Sequence, residues 1–124
     1  MSGAATAAAE ARASSEPESV CPHFHAAIEL VGRRWSGAIL WALLAGPRRF
    51  AELSTAVPGI SDRLLSQRLR ELEREGLVER SVALRAPVRV SYALTAKGCA
   101  LEGSIRALHD WAQDWNGAGL ADAG

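Results

Sequence analysis

FAELSTAVPGISDRLLSQRLRELEREG, residues 50–76, holds two helical patterns around one turn. Phe50, Leu53 and Val57 fall at helical spacing, so a short helix over about Phe50–Ala56 turns them inward. Val57-Pro58-Gly59-Ile60 then breaks the period, because proline lacks an amide donor and glycine tolerates the backbone of a tight turn. Ser61 or Asp62 opens a second helix, and Gly76 ends it. The two sides of that helix differ chemically. Leu64, Leu65, Leu69 and Leu72 share one face and must pack on the helices before it. Arg63, Gln67, Arg70 and Arg74 recur at i, i+4, i+7 and i+11, so they share the opposite, exposed face, with Ser61 and Ser66 near the leading end. Helix, glycine-bearing turn, helix is a helix-turn-helix.

Downstream of Gly76 the period changes from helical to two. Leu77–Val82 and Val88–Leu94 alternate as strands, and Ala83-Leu84-Arg85-Ala86-Pro87 joins them into a hairpin with Arg85 near its tip. A hairpin directly after a helix-turn-helix is a wing, so the fold class is mainly α with a small β-hairpin: a winged helix-turn-helix. Upstream, Cys21-Pro22 starts a helix that ends at Gly32, with Phe24, Ile28 and Val31 on one face. Ser36 caps a further helix to Ala45, stopped by Gly46-Pro47. Thr95 caps a last helix to about Trp115.

Length and composition agree with one domain. The chain has 124 residues, 48% of them hydrophobic and 23% charged, which is enough apolar material for a core. It is too short for an α/β barrel and nearly too short for a full dinucleotide-binding fold. The organisation expected is a disordered Ala-rich tail over 1–20, a winged helix-turn-helix and dimerisation domain over 21–116, and a flexible tail over 117–124. No run is long and apolar enough to span a bilayer, and no secretory signal is present, so the expected location is cytoplasmic, on the nucleoid.

The formal charge is zero, but it is zoned. Residues 1–32 carry −3, residues 33–89 carry +5 and residues 90–124 carry −2. A basic middle inside a neutral chain fits one face meeting a polyanion. Double-stranded DNA suits the side chains of the second helix: arginine forks match guanine, glutamine pairs with adenine, and serine serves base edges or phosphates. Recognition helices read bases with their N-terminal residues, which selects Arg63, Ser66 and Gln67 as readers. Arg70 and Arg74 are expected at the backbone or paired with Glu71 and Glu73. Arg85 and Arg89 on the wing reach the adjacent minor groove or phosphates. A solvated arginine face is the plainer account of one such helix; the turn and hairpin around it favour DNA.

The last helix carries Leu101, Ile105, Leu108, Ala112 and Trp115 at steps of 4, 3, 4 and 3, a heptad-like seam that Trp111 widens. With a domain already closed by its wing, this seam and the first helix (Phe24, Ile28) are expected to pack against a second copy, giving a homodimer. A two-fold dimer sets two recognition helices about 34 Å apart, one turn of DNA. Cys21, at a helix start where the dipole favours a thiolate, with His23 or His25 adding charge, is a candidate redox residue or a silent helix start. Cys99 is expected to be a small packing residue. Cys21, His23 and His25 do not share a helical face, so no metal site is expected. Trp35, Trp41, Trp111 and Trp115 offer either core or the lining of a small-molecule effector pocket. Neither a nucleophile–base pair nor a phosphate loop is present, so neither enzyme nor cofactor is expected. The competing class is a winged-helix protein adaptor.

These residues also resemble a known family. Cys21-Pro22, Val31-Gly32-Arg33-Arg34-Trp35, Gly46-Pro47-Arg48-Arg49-Phe50-Ala51-Glu52-Leu53, Pro58-Gly59-Ile60-Ser61, Leu65–Glu73, Gly76–Arg80 and Tyr92–Gly98 are similar to the HxlR-type (MarR-like) bacterial transcriptional regulators over about residues 21–115. The family usually has Gly-Lys-Trp at Arg33-Arg34-Trp35. The resemblance implies a homodimeric winged-helix repressor or activator on pseudo-palindromic promoter DNA. It also implies, from some relatives, electrophile or oxidant sensing through a cysteine at the position of Cys21.

Overall fold

The computed structural model describes residues 19–115, so both expected tails lie outside the described residues except for residues 19 and 20. Among the described residues, five helices of seven or more residues, one short helix and three strands follow in order. They are α1 (Pro22–Val31), α2 (Ser36–Leu43), β1 (Arg48–Arg49), α3 (Phe50–Ala56), α4 (Asp62–Arg74), β2 (Val78–Ala83), β3 (Arg89–Leu94), α5 (Ala96–Cys99) and α6 (Glu102–Asp114).

Leucines build the core. Leu65, Leu69 and Leu72 of α4 are buried against Ile39, Leu40 and Leu43 of α2, Leu53 of α3 and the start of β2 at Leu77 and Val78. Truncating any one of these to alanine costs about 2–5 kcal/mol through lost transfer energy and a residual cavity. The turn between α3 and α4 needs its glycine, since Gly59 has φ +92°, and Ser61 then caps α4 by accepting from the Leu64 amide at 3.1 Å.

Three local expectations are corrected. The sheet has three strands in the order β1-β3-β2, not a bare hairpin: Arg48 and Arg49 pair antiparallel with Tyr92 and Ser91. Ser36 is not a cap but the first, buried residue of α2. Trp35 is the N-cap, in the left-handed region at φ 79°. Such a backbone costs a bulky residue about 1–3 kcal/mol and persists only where its surroundings over-determine it. Finally, the last helix is two helices. Thr95 donates to the Gly76 carbonyl at 2.5 Å and accepts from the Gly98 amide at 3.1 Å, which pins α5 to the end of α4 and the start of β2. Leu101 then bonds three residues back to Gly98, and the chain redirects so that α6 lies along α2.

Candidate nucleic-acid interface

Helix α4 presents the expected row. Arg63, Gln67, Arg70 and Arg74 are all exposed, opposite the buried leucines. Asp62 lies in its first turn and Arg74 in its last, each at the favourable end of the helix dipole. The wing carries Arg85 at its tip and Arg89 as the first residue of β3, opposite Ala83, both exposed. Among the described residues, Arg63, Arg70, Arg74, Arg85 and Arg89 meet no carboxylate within 4.0 Å, whereas Arg33 and Arg68 do. Charge on the exposed row is therefore not neutralised by any of the described residues.

The carboxylates on α4 pair differently from expectation. Glu71 takes Arg33 at 2.9 Å and Arg68 at 3.2 Å, while Arg70 turns back one helical turn to donate to Ser66 Oγ at 2.8 Å. Arg70 and Arg74 thus do not pair with Glu71 or Glu73. The Glu71 site opposes ionisation through partial burial. The hydrogen bond and charge of Arg33, then the charge of Arg68 and a hydrogen bond from Gln67, outweigh that and hold its carboxyl below the ordinary value. Ser61 is engaged as the cap, its oxygen accepting from Leu64. Arg49 and Arg80 are further exposed cations beside the wing that the spacing argument passed over, since neither stands in a helical row.

A second feature lies away from the arginine row. Helices α1, α2 and α6 enclose an open apolar groove of about 570 Å³, lined by Ile28, Val31, Trp41, Leu101, Ile105 and Leu108 among others. Within it the Trp41 and His109 rings stack 4.0 Å apart at 10°, with the Arg106 guanidinium 5.6 Å from the Trp41 centroid. Of the four tryptophans only Trp41 lines this groove. Trp35 sits over the Gly59 turn, and Trp111 and Trp115 are exposed outside the lining. His109 was not legible as a partner of Trp41, because nothing local connects residues so far apart. The seam on α6 divides accordingly: Leu101 and Ile105 pack on the domain's own core, while Leu108 and Trp115 are exposed.

Cys21 is exposed at the N-cap of α1, and the ring of His25 lies 3.4 Å from Glu29 one turn on. Cys99 is also exposed, which corrects its reading as a packing residue; the buried neighbour is Gly98, whose Cα faces the Leu77 carbonyl too closely for any side chain. Among the described residues no three His, Cys, Asp or Glu side chains are placed to hold a metal ion. Among them, too, no helix is long and apolar enough to cross a membrane.

Comparison with known proteins follows the same residues. The family model for an HxlR-like helix-turn-helix matches residues 30–119. The chain is 44% identical over 96 residues to the uncharacterized HTH-type transcriptional regulator YvaP of Bacillus subtilis (strain 168), covering 77% of this chain and 89% of that one. Among solved structures, the reduced transcriptional regulator YodB from B. subtilis superposes with a TM-score of 0.71 at 41% identity, over 79% of this chain and 96% of that one. The redox regulator HypR in its oxidized form does so with a TM-score of 0.74 at 32% identity, over 79% and 100%. Diamide-treated and quinone-bound forms of YodB match as well.

Proposed function

The chain belongs to the HxlR-like helix-turn-helix family, whose named relatives here are transcriptional regulators and not enzymes, and on that premise we propose that it is a homodimeric repressor binding pseudo-palindromic promoter DNA. The observation that carries this reading is the row of unneutralised arginines with one glutamine along α4. In a major groove, Arg63 and Gln67 at the leading end meet base edges, Arg74 meets the phosphate backbone, and Arg85 and Arg89 extend the contact along the neighbouring groove. Ser66 and Arg70 act as a hydrogen-bonded pair, and the Ser61 hydroxyl proton remains free for a phosphate. Such a protein works on the nucleoid, in the cytoplasm.

The dimer forms through α1 and α6, where Phe24, Ile28, Leu108, Trp111 and Trp115 leave a large apolar surface exposed. Two inputs are available for a switch. The first is Cys21: a peroxide oxidises the thiol to sulfenic acid and is itself reduced to an alcohol or water, and a second thiol condenses with it to a disulfide, releasing water. Support comes from the relatives solved in diamide-treated, quinone-bound and oxidized forms. The second is a small apolar effector in the groove beside Trp41.

The test is fluorescence anisotropy on the chain's upstream intergenic DNA against a scrambled duplex at equal salt. Arg63→Ala and Gln67→Ala should each lose about 1–3 kcal/mol of base discrimination. A protein that treats promoter and scrambled duplex alike is an adaptor, not a reader. Mild oxidation should weaken promoter binding in the wild type and leave Cys21→Ser unchanged. Equal binding in all samples would move the switch from the thiol to the groove.

A further inference from the structure

Helix α1 is held to the domain at one end. None of its ten residues is fully buried, and those that pack partly on the core, Leu30 and Val31, lie in its last turn. What fixes it lies at its C-terminal end, where three consecutive residues are tied to the reading unit. Arg33 Nη1 lies 2.9 Å from Glu71 Oε2. The Arg34 carbonyl accepts from Arg68 Nε at 2.9 Å. The Trp35 ring, on its left-handed backbone, covers the Gly59 turn that precedes α4.

Arg68 closes the arrangement by placing Nη1 3.2 Å from the other Glu71 oxygen. One carboxylate therefore joins two guanidiniums, one from the loop after α1 and one from α4, and the second guanidinium also grips the loop backbone. The Arg68 and Glu71 side chains are 13% and 17% exposed, so that pair is sheltered from water and screening salt, while Arg33 is half exposed. Each guanidinium meets the carboxylate through one Nη, and the Arg68 Nε on the loop carbonyl adds a second point of hold. Slack at the helix end is small, because the Gly32 amide still donates to the Ile28 carbonyl at 2.7 Å. Arg68 and Glu71 stand on the flank of α4, outside the exposed row of Arg63, Gln67, Arg70 and Arg74.

We propose that the Arg33–Glu71–Arg68 cluster is a positioning device that fixes α4 relative to α1, and thereby sets the separation of the two recognition helices in the dimer. This rests on the dimeric DNA-binding reading above, in which α1 belongs to the shared face and α4 to the reading face. A fixed interface becomes a fixed half-site spacing only if a stiff link joins the two. One added base pair moves the second half-site by about 3.4 Å and rotates it by roughly 35°, so a loosened link appears as tolerance to spacing. Base reading within each half-site does not pass through Arg33, whereas Glu71 also accepts from the reader Gln67.

The experiment measures binding of the full chain to duplexes carrying the upstream half-sites at their natural separation and at one or two base pairs more or less. Wild type is compared with Glu71→Gln, which keeps shape and removes charge, and with Arg33→Ala and Arg33→Lys. Wild type should prefer the natural spacing by roughly tenfold over a one-base-pair change, a discrimination like that of a mismatch. Glu71→Gln and Arg33→Ala should narrow that preference to about twofold, with base preferences inside a half-site retained in Arg33→Ala, and Arg33→Lys should recover part of it. Equal weakening at every spacing, or a changed preference at one base position in Arg33→Ala, overturns the inference by making the cluster a stability element or a base contact. Wild-type spacing selectivity in Glu71→Gln and Arg33→Ala, with wild type selecting both sequence and spacing, overturns it alone. A wild type indifferent to sequence and spacing overturns the DNA-binding reading and this inference with it.

Discussion

Two groups of arginines do different work in this chain, and a nearby carboxylate separates them. Where Glu71 is in reach, Arg33 and Arg68 become part of the framework; where no described carboxylate is, Arg63, Arg70 and Arg74 stay available to an outside anion. The lowered Glu71 pKa has a consequence for stability. Its folded form holds a proton less tightly than the unfolded chain does, so unfolding takes up a proton in the acidic range. The stabilisation is complete above the ordinary carboxylate value and is lost as pH falls through the lowered folded value. Denaturant unfolding followed from neutral pH into the acidic range should therefore show a shallower acid limb for Glu71→Gln than for wild type. Superimposable limbs would contradict the ion-pair account. The Arg63/Gln67 row was legible from spacing alone because a helical row is a local pattern. The partners of Glu71 were not: Arg33 lies in another element, and opposite charges in sequence do not say which of them meet.

At the level of elements, local signals worked where the chain meets itself nearby and failed where it meets a distant segment. Helices α3 and α4, their turn and the wing follow from periodicity, a serine cap and glycine. Strand β1 has only two residues, and its partners are at 91 and 92, so no alternation reveals it. The break between α5 and α6 likewise depends on a close approach, Gly98 against the Leu77 carbonyl. Alanine is favoured over glycine in a helix by about 1 kcal/mol. At position 98 its methyl group meets backbone that cannot yield, and overpacking costs about 1–3 kcal/mol or more, so the collision wins. Gly98→Ala should lower the thermal midpoint, while Gly103→Ala on α6, where nothing lies within 4 Å, should leave it unchanged or raise it. Equal midpoints for the two variants would mean α5 is not pinned as described.

The whole molecule has two faces with different chemistry: a basic one on α4 and the wing, and an apolar one on α1 and α6. Spacing predicts an apolar face made of the seam on the last helix with Phe24 and Ile28 of the first, yet half of that seam turns into the domain's own core, since α6 also has to cover α2. What remains exposed, Leu108, Trp111 and Trp115 with Phe24 and Ile28, is the surface proposed for the second copy. Leu108→Arg should shift the protein from dimer to monomer in sedimentation and weaken promoter binding by orders of magnitude, because one half-site alone gives up the linked second contact. A dimer of unchanged stability in Leu108→Arg would place the interface elsewhere. In the proposed symmetric dimer, two α4 helices read bases. Selection of bound duplexes from a randomised pool is the sharpest test. It should enrich an inverted repeat whose half-sites lie about 10–10.5 base pairs apart centre to centre. Recovery of sequences no different from the input pool, at a salt concentration that suppresses non-specific binding, would contradict base reading by α4.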